Sequence, residues 1–319
     1  MPVALWGLAL PATGAMVQAL CAWRDRRRFP PPGGLIDGLH VRCLGREPVA
    51  FFEAGIAASS ANWGRTQAAL EASAGSCSYD RRGFGWSAPA RADVTLRALT
   101  DDLRALLRAI PVRFPIVLIG HSFGSYIVRA YAHRFPEDVA GLVLIDPVAS
   151  EEWTQPGWRG RLRLERAIFF AHLARGLASI GLVRLGLWGL LRRGAGNAGP
   201  VLGLSPSLRR IAGEVAKLPP DVVAALRAQW SEPRFFERLA AYVRALPNCA
   251  AEIARCPLPA GLPVTVLSGA HQPPTILAAH RALATRHVVV NGSGHWIHLD
   301  HPQLVADEIR ALGPATENS

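Results

Sequence analysis

One stretch near the middle of the chain, residues 116–131, constrains the fold more than any other. Its first residues, Ile116–Ile119, are apolar and mostly β-branched, which is typical of a short buried strand. Apolar residues then recur at helical spacing up to Tyr131, so a helix is predicted there. The intervening Gly-His-Ser-Phe-Gly places Ser122 on a tight turn between small residues. This context predicts an exposed, reactive hydroxyl; the alternative is a turn without chemistry.

Two backbone N–H groups are candidates for binding a developing oxyanion. The N–H of Phe123 lies at the start of the predicted helix, where the helix N-terminus favours negative charge. The second is the N–H of Ile56, which follows Gly55 just past a predicted strand. A glycine there lets the backbone approach a ligand closely, although an ordinary glycine turn is the alternative.

Short apolar runs alternate with helix-like segments through much of the chain. Further strands are predicted at 35–41 (two short strands around an Asp-Gly turn), 48–52, 76–79, 140–145, 263–267 and 287–290. Amphipathic helices are predicted at 96–110, 276–284 and 302–312. This alternation predicts an α/β fold with a doubly wound, mostly parallel sheet and a site at the carboxyl ends of its strands.

Residues 151–259 interrupt the alternation, because strand patterns vanish and helical periodicity takes over. Four segments are therefore predicted: a hydrophobic helix in 1–29, a first part of the α/β core in 30–150, an inserted helical cap in 151–259, and a second part of the core in 260–319. The stretch from Arg159 to Arg210 is rich in arginine, with Glu165 as its single acid. Such a surface suits contact with an anionic membrane; the alternative is a cap packed on the sheet with solvated arginines.

The N-terminal segment Val3–Trp23 contains no charged residue and, as a helix, is long enough to cross a hydrocarbon core. Arginines follow it directly between Arg24 and Arg28, and no basic residue precedes it. By the positive-inside rule, these features predict a membrane-associated protein whose catalytic domain is cytoplasmic. The alternative is a soluble cytoplasmic protein in which this helix packs on the catalytic domain.

Charge and cysteine content bear on three possibilities: a nucleic-acid partner, a zinc site and disulfide bonds. The formal net charge is +11, and Lys217 is the only lysine among the basic residues. Because no arginine run is interleaved with aromatic residues as in a nucleic-acid module, no nucleic-acid partner is predicted. The five cysteines show neither a zinc spacing nor a disulfide framework. Free thiols in a reducing compartment are predicted, with a Cys249–Cys256 pair as the alternative.

Four motifs in a fixed order resemble the α/β-hydrolase family. They are Gly-His-Ser-Phe-Gly at 120–124, Asp-Arg-Arg-Gly-Phe-Gly-Trp-Ser at 80–87, Leu-Val-Leu-Ile-Asp at 142–146, and the run from Gly292 through His295 to Pro302. The resemblance covers 35–148 and 262–312. It implies an eight-stranded, mostly parallel sheet with a cap after the sixth strand, and acyl transfer by serine, histidine and an acid. Asp80 and Arg81 are expected to form an ion pair that holds their loop.

The resemblance implies that Ser122 is the nucleophile and His295 the general base. His298 and His301 are rivals of His295 by residue type, but the glycine-flanked position after the last strand favours His295. His298 is expected to pack under the site and His301 to face solvent.

The position of the acid that would orient the histidine departs from the family's usual pattern. Relatives usually carry it on the loop after the seventh strand, here residues 268–274, but no Asp or Glu lies between Glu252 and Asp300. Asp146, at the end of the sixth strand, is the best remaining candidate, and its role would be to orient His295 and stabilise the imidazolium. The alternative is that Asp146 is an ordinary loop residue.

These residues predict a serine hydrolase that cleaves a carboxylic ester or related acyl bond without a cofactor or metal. The apolar, arginine-rich insertion favours a lipid-like small-molecule substrate. A peptidase, a thioesterase, a carbon–carbon hydrolase and a non-enzymatic binding protein of the same fold are the alternatives. Serine at position 122 argues against epoxide hydrolase and dehalogenase chemistry, which uses a carboxylate nucleophile in this fold. The sequence does not indicate an oligomeric state.

Overall fold

The structure of the chain is a computed structural model. It describes the backbone of residues 2–90, 93–192 and 206–313, and the side chains of 10–90, 93–189 and 210–313. The strands within these ranges are β1 (Gly34–Ile36), β2 (Leu39–Leu44), β3 (Pro48–Glu53), β4 (Gly75–Tyr79), β5 (Ile116–His121), β6 (Val139–Ile145), β7 (Val264–Gly269) and β8 (Arg286–Val290). Each predicted strand is present, with bounds that differ by a few residues at most.

The eight strands form one sheet in the order β1-β2-β4-β3-β5-β6-β7-β8. The pairs β1–β2 and β2–β4 are antiparallel, and the remaining pairs are parallel. In register, Leu118 of β5 lies between Phe51 of β3 and Leu142 of β6. The sheet confirms the predicted fold class, a mostly parallel eight-stranded α/β sheet.

The central strands are largely apolar because helices cover both faces of a parallel sheet. The β5 residues Ile116–Ile119 are fully buried, as is β6 from Leu142 to Ile145. Their inward side chains join Phe52 and Trp63 in one core cluster. Parallel alignment also brings Glu53, His121, Ile145 and Gly269 to the same edge of the sheet, since each ends its strand. Loops leaving this edge therefore converge.

Helices account for most of the remaining described residues. They are α1 (Pro2–Arg28), α2 (Gly64–Leu70), α3 (Leu96–Ala109), α4 (Gly124–Arg134), α5 (Ser150–Thr154), α6 (Trp158–Ser179), α7 (Leu182–Arg192), α8 (Pro206–Val215), α9 (Pro220–Trp230), α10 (Pro233–Ile253), α11 (Pro274–Leu283), α12 (Ile297–Asp300) and α13 (Pro302–Leu312). The amphipathic pattern of α3 is typical: Thr95 caps its N-terminus by accepting from the N–H of Ala98, and its leucines are buried.

The chain divides into two compact units. A helical unit contains 1–31 and 163–243, and a sheet unit contains 32–162 and 244–319. The described part of 151–259 contains helices and no strand. The predicted segments 1–29, 30–150, 151–259 and 260–319 remain a prediction, because the two units are defined by contacts rather than by function.

The cysteines correct one expectation from the sequence. Cys43 and Cys77 form a disulfide, whereas Cys21, Cys249 and Cys256 are free. The two bonded residues face each other across the antiparallel pair β2–β4, with Cα atoms 4.0 Å apart. The prediction of free thiols was wrong for this pair because strand register, not sequence spacing, brings them together. The alternative Cys249–Cys256 pair is also not formed.

The predicted N-terminal helix is present as α1 and continues through Arg28. Within the described side chains, no single helix is both long and apolar enough to cross a bilayer. Two helices meet that requirement only when taken together, Trp158–Ser179 and Leu182–Gly189, and they are bent by 99° at their junction. The side chains of residues 2–9, which carry part of the anchor prediction, lie outside the described residues.

Candidate active site

Ser122 lies on the turn between β5 and α4 with a left-handed backbone, φ 52°. Such a conformation is strained for a residue with a side chain and is held by its surroundings. The flanking glycines leave room for this turn. A Cβ on Gly120 would lie 2.9 Å from the carbonyl oxygen of Gly124, and a Cβ on Gly124 would lie 2.5 Å from the carbonyl oxygen of Glu53. The Ser122 N–H donates to the carbonyl of Ile145, 3.0 Å away, which ties the turn to the end of β6.

Asp146 directly follows β6 and is also left-handed, with φ 42°. Its side chain is buried, and Oδ2 lies 2.6 Å from Nδ1 of His295. Two further donors hold the carboxylate: the N–H of Gly269 at 3.2 Å from Oδ1, and the side-chain amide of Gln272 at 2.6 Å from Oδ2. The loop that carries the acid in most relatives thus supplies two donors to Asp146.

The surroundings of Asp146 favour its ionised form. Burial alone would raise the pKa of the carboxyl, because a charge loses its hydration there. The hydrogen bond and charge of His295, with the donors Gly269 and Gln272, outweigh that effect and hold the pKa below its usual range. Asp146 is therefore a carboxylate at neutral pH, suited to stabilising an imidazolium.

His295 follows β8 and is a quarter exposed, so its ring borders both protein and solvent. Behind it lies a series of aromatic rings. The ring centroid of His121 is 4.6 Å from those of both His295 and His298, and the His298 ring is 4.4 Å from Trp63. Nε2 of His121 also lies 2.9 Å from the backbone oxygen of His295. Because His121 precedes Ser122 in the chain, these contacts bring the loop that carries His295 against the turn that carries Ser122.

The rival residues are engaged elsewhere. His298 is buried, and burial together with the nearby His295 lowers its pKa to about 3, so it is neutral at physiological pH. His301 is half-buried rather than solvent-facing. Asp300, which could have replaced Asp146, accepts a 2.8 Å hydrogen bond from Ser293 Oγ.

Gly55 lies against Ser122 from the end of β3. A Cβ on Gly55 would lie 3.3 Å from Cβ of Ser122 and 3.0 Å from Nδ1 of His121. A side chain at this position would therefore crowd the serine turn, and glycine avoids that contact. The peptide that carries the Ile56 N–H therefore adjoins Ser122, and Phe123 is the next residue along the chain, at the start of α4. The assignment of these two N–H groups to an oxyanion hole remains a prediction.

A buried ion pair beneath this loop was not predicted from the sequence. Arg81 forms it with Glu53, and Tyr79 also donates to the Glu53 carboxylate. Asp80, expected to pair with Arg81, lies 2.9 Å from Nδ1 of His40 and accepts from the N–H of Ser60. Burial raises the pKa of Glu53, and the charge of Arg81 and the hydrogen bonds from Tyr79 and Arg81 act against that rise. Adjacency in the sequence suggested Asp80 as the partner of Arg81. The structure pairs Arg81 with Glu53 instead, because β3 and β4 are neighbouring strands that end at Glu53 and Tyr79.

Among the residues the structure describes, no group of three or more histidine, cysteine or acidic side chains is arranged to hold a metal ion.

Comparison with known proteins agrees with this architecture. The family model of the alpha/beta hydrolase fold matches residues 51–302. An uncharacterised Bacillus subtilis protein, YqjL, is 35% identical over 100 residues, which is 31% of this chain and 40% of YqjL. The match thus spans less than half the length of that relative.

Two solved structures are similar over most of the chain. A thermophilic esterase from Thermogutta terrifontis aligns with a TM-score of 0.58 and 22% identity, covering 86% of this chain and 92% of the esterase. The epoxide hydrolase CorEH aligns with a TM-score of 0.58 and 22% identity, covering 88% and 96%. At this identity both show the fold alone. On the match of the family model across most of its length, the chain belongs to the α/β-hydrolase family.

Proposed function

We propose that the protein is a serine hydrolase that cleaves a carboxylic ester or related acyl bond with Ser122, His295 and Asp146. The observation that carries the proposal is the 2.6 Å hydrogen bond between Asp146 and His295, beside a serine held in a strained turn. An acid, a histidine and an exposed serine hydroxyl are the groups that nucleophilic acyl transfer requires.

In the proposed mechanism, Nε2 of His295 takes the Ser122 proton while Oγ bonds to the acyl carbon. The carbonyl electron pair moves onto oxygen, and the N–H groups of Ile56 and Phe123 stabilise that oxyanion. His295 then gives its proton to the leaving oxygen as the ester bond breaks. A water molecule, deprotonated by His295, attacks the acyl-enzyme; the acid product leaves and Ser122 regains its proton. Asp146 fixes the tautomer of His295 throughout.

The nucleophile separates this proposal from the chemistry of one structural neighbour. CorEH is an epoxide hydrolase, and hydrolases of that kind on this fold use a carboxylate as the nucleophile. Position 122 is serine, which forms an acyl ester that water can hydrolyse. The esterase from Thermogutta terrifontis is a neighbour whose described activity agrees with an acyl substrate.

The proposal includes an anionic lipid surface as a partner of the helical unit. One side of α1 is polar and packed: Gln18 donates to the carbonyl of Ser231 at 2.9 Å and accepts from Arg184 at 2.9 Å. Large apolar side chains are exposed elsewhere on the helical unit, namely Leu10, Met16, Val17, Leu20 and Trp23 of α1, Phe169, Phe170, Leu173 and Leu177 of α6, and Leu182, Leu185 and Trp188 of α7.

Charge favours a lipid surface over another apolar protein as the occupant of these faces. Arginines accompany them, including Arg27, whose guanidinium lies 4.0 Å from the ring centroid of Trp23. Apolar and aromatic residues interleaved with arginines are typical of helices that lie in the headgroup region of anionic membranes. Membrane association is part of this proposal, with the catalytic domain on the cytoplasmic side by the positive-inside rule. A lipid-like ester is the substrate class that such a location supplies.

Hydrolysis of p-nitrophenyl esters of graded acyl chain length tests the proposed activity. We expect turnover above the background rate, with kcat/KM rising from acetate toward medium or long chains. Thioester, peptide and carbon–carbon substrates tested in parallel separate the alternatives within the fold. Absence of turnover on all of them, together with no labelling by a fluorophosphonate, would favour a non-enzymatic binding protein.

A further inference from the structure

The oxyanion loop, residues 53–56, ends β3 and passes directly beneath the nucleophile. Its Gly55 lies close to Ser122, since a Cβ on Gly55 would be only 3.3 Å from Cβ of Ser122. Gly124, at the start of α4, also packs against this loop, because a Cβ there would clash with the carbonyl oxygens of Glu53 and Ala54. The loop is thus packed against the serine turn. Its position also depends on the groups that bind its carbonyl oxygens.

Arg81 holds those carbonyl groups. Its side chain is buried, and its two terminal nitrogens donate to successive carbonyl oxygens of the loop, Nη1 to Ala54 and Nη2 to Gly55, each at 2.5 Å. A planar guanidinium presents donors in a rigid fork that can bind two acceptors at once. The carbonyl of Gly55 also accepts from the N–H of Ala58 at 3.3 Å, which closes the turn.

The direction of the Ile56 N–H follows from this contact. The Gly55–Ile56 peptide is trans, and in a trans peptide the C=O and the N–H point in opposite directions. Because Arg81 draws the Gly55 carbonyl to one side of the loop, the Ile56 N–H is directed to the other. A rotated peptide would bring a carbonyl oxygen toward the nucleophile and repel a developing negative charge.

We propose that Arg81 is a positioning residue that orients the Ile56 N–H as an oxyanion donor, and that Glu53 holds Arg81 in place. This inference rests on the proposed function. Glu53 belongs to the same loop whose carbonyl groups Arg81 binds, so the ion pair closes a small ring of contacts around the oxyanion loop.

Glu53 compensates the positive charge of the buried Arg81 guanidinium. A buried cation without a counter-charge is strongly destabilising, and carbonyl dipoles alone offset that only in part. The Glu53 carboxylate supplies the negative charge, and Tyr79 donates to its second oxygen. A purely structural ion pair is the alternative role, so the experiment must separate catalysis from stability.

The matched control is the adjacent Arg82. It is also buried and hydrogen-bonded, but to Asp37 at 2.7 Å and Asp102 at 3.3 Å, and these residues lie outside the oxyanion loop. Arg81→Lys and Arg82→Lys each keep a positive charge and remove a guanidinium fork. We expect both to lower the melting temperature, and only Arg81→Lys to impair the chemical step.

The measurement is steady-state hydrolysis of the best p-nitrophenyl ester, with inhibition by a trifluoromethyl ketone, which forms a tetrahedral adduct with the serine. For Arg81→Lys we expect kcat to fall about 10²-fold, the size reported for loss of one oxyanion donor, with KM changed less than about threefold. Affinity for the ketone should fall in parallel, because the adduct carries the oxyanion. Arg82→Lys should change neither quantity more than about threefold.

A second variant separates an effect on catalysis from a folding defect caused by an unpaired buried charge. Glu53→Gln/Arg81→Gln removes both buried charges together, so no unpaired ion remains, and it should fold and show the same loss of kcat and of ketone affinity. Equal kinetics for Arg81→Lys and Arg82→Lys, or a folded double variant with wild-type kcat, would overturn the inference. Failure of the wild-type protein to hydrolyse any ester would instead contradict the proposed function itself.

Discussion

The side-chain amide of Gln272 donates a 2.6 Å hydrogen bond to Oδ2 of Asp146, the oxygen that also contacts His295. The residue comes from the loop after β7, where relatives usually carry the acid itself. In this chain that loop supplies an uncharged donor, and the carboxylate stands at the end of β6. A second carboxylate beside Asp146 would repel it, so an uncharged donor is the group that this position can accept.

Asp146→Asn should fold normally and lose most of its turnover. The amide presents no charge to an imidazolium and can hold His295 in the wrong tautomer. Loss of the orienting acid in a triad lowers kcat by about 10⁴, or about 5.5 kcal/mol of transition-state stabilisation. Stopped-flow and steady-state hydrolysis of the best ester measure the change, and thermal unfolding checks the fold.

Two matched variants bracket that result. Asp300→Asn removes a nearby carboxylate that bonds to Ser293, and it should retain kcat within about threefold of wild type. Gln272→Ala removes one of the donors to Asp146 while His295 and Gly269 remain, so a fall of about tenfold is expected. A large loss in Asp300→Asn with normal activity in Asp146→Asn would reassign the acid.

Much of the fold was predictable because local patterns and the sheet agree. The strand before Ser122 and the strand before Asp146 are apolar runs, as fully buried parallel strands require. Their parallel pairing then places Ser122 and Asp146 at one edge of the sheet, with the end of β5 beside the end of β6. No Asp or Glu lies between Glu252 and Asp300, which left Asp146 as the candidate for orienting His295, and the two side chains are hydrogen-bonded.

What sequence spacing could not predict depends on strand order and register. Strand β4 lies between β2 and β3, which no local pattern indicates. This order brings Cys77 opposite Cys43 and brings Arg81, just after β4, to Glu53 at the end of β3. The sequence suggested Asp80 as the partner of Arg81 only because the two are adjacent. Adjacent residues at a strand end point to opposite sides, so each found a partner from another element.

Stability should fall as the pH drops below about 6.5, the ordinary value for histidine. The unfolded chain binds a proton at His298 in this range, whereas the folded protein does not until its lowered pKa, about 3, is reached. Since the unfolded state binds more protons, the free energy of unfolding decreases with falling pH, by about 1.4 kcal/mol per unit for each such histidine. The pKa of His121 is lowered in the same direction, by burial and by its neighbours His298 and His295.

Urea unfolding between pH 8 and pH 5 measures this dependence. His298→Gln should flatten the curve below pH 6 by about 1.4 kcal/mol per unit, because one neutral buried imidazole is gone. Above pH 7.5 the two curves should run parallel, since histidine is neutral in both states there. Equal slopes at pH 5 to 6 would show that His298 takes up its proton in the folded protein.

The helical unit should bind anionic vesicles through its exposed apolar faces. We expect the full-length protein to co-sediment with phosphatidylglycerol vesicles and much less with phosphatidylcholine vesicles, because arginines flank those faces. Phe169→Ser/Leu173→Ser should weaken binding at least tenfold, since both side chains are exposed on α6.

A surface substitution in the sheet unit supplies the control. Val289 of β8 is also an exposed apolar residue, and Val289→Ser should leave vesicle binding unchanged. Equal binding to neutral and anionic vesicles would remove the role of the arginines. Concentration-dependent self-association that Phe169→Ser/Leu173→Ser abolishes, without vesicle binding, would assign the faces to a second copy of the chain.

Labelling by a fluorophosphonate reports directly whether Ser122 is an activated nucleophile, because only an activated serine reacts rapidly with this probe. Wild-type protein should form one adduct, located by peptide mass spectrometry on Ser122, and Ser122→Ala should show neither adduct nor hydrolysis while its melting temperature is nearly unchanged. Ser125→Ala is the matched control, because the Ser125 hydroxyl is buried and forms no hydrogen bond with any residue that the structure describes. Labelling of this variant should persist. Undiminished labelling of Ser122→Ala, or an adduct on any other serine of the wild-type protein, would contradict the account.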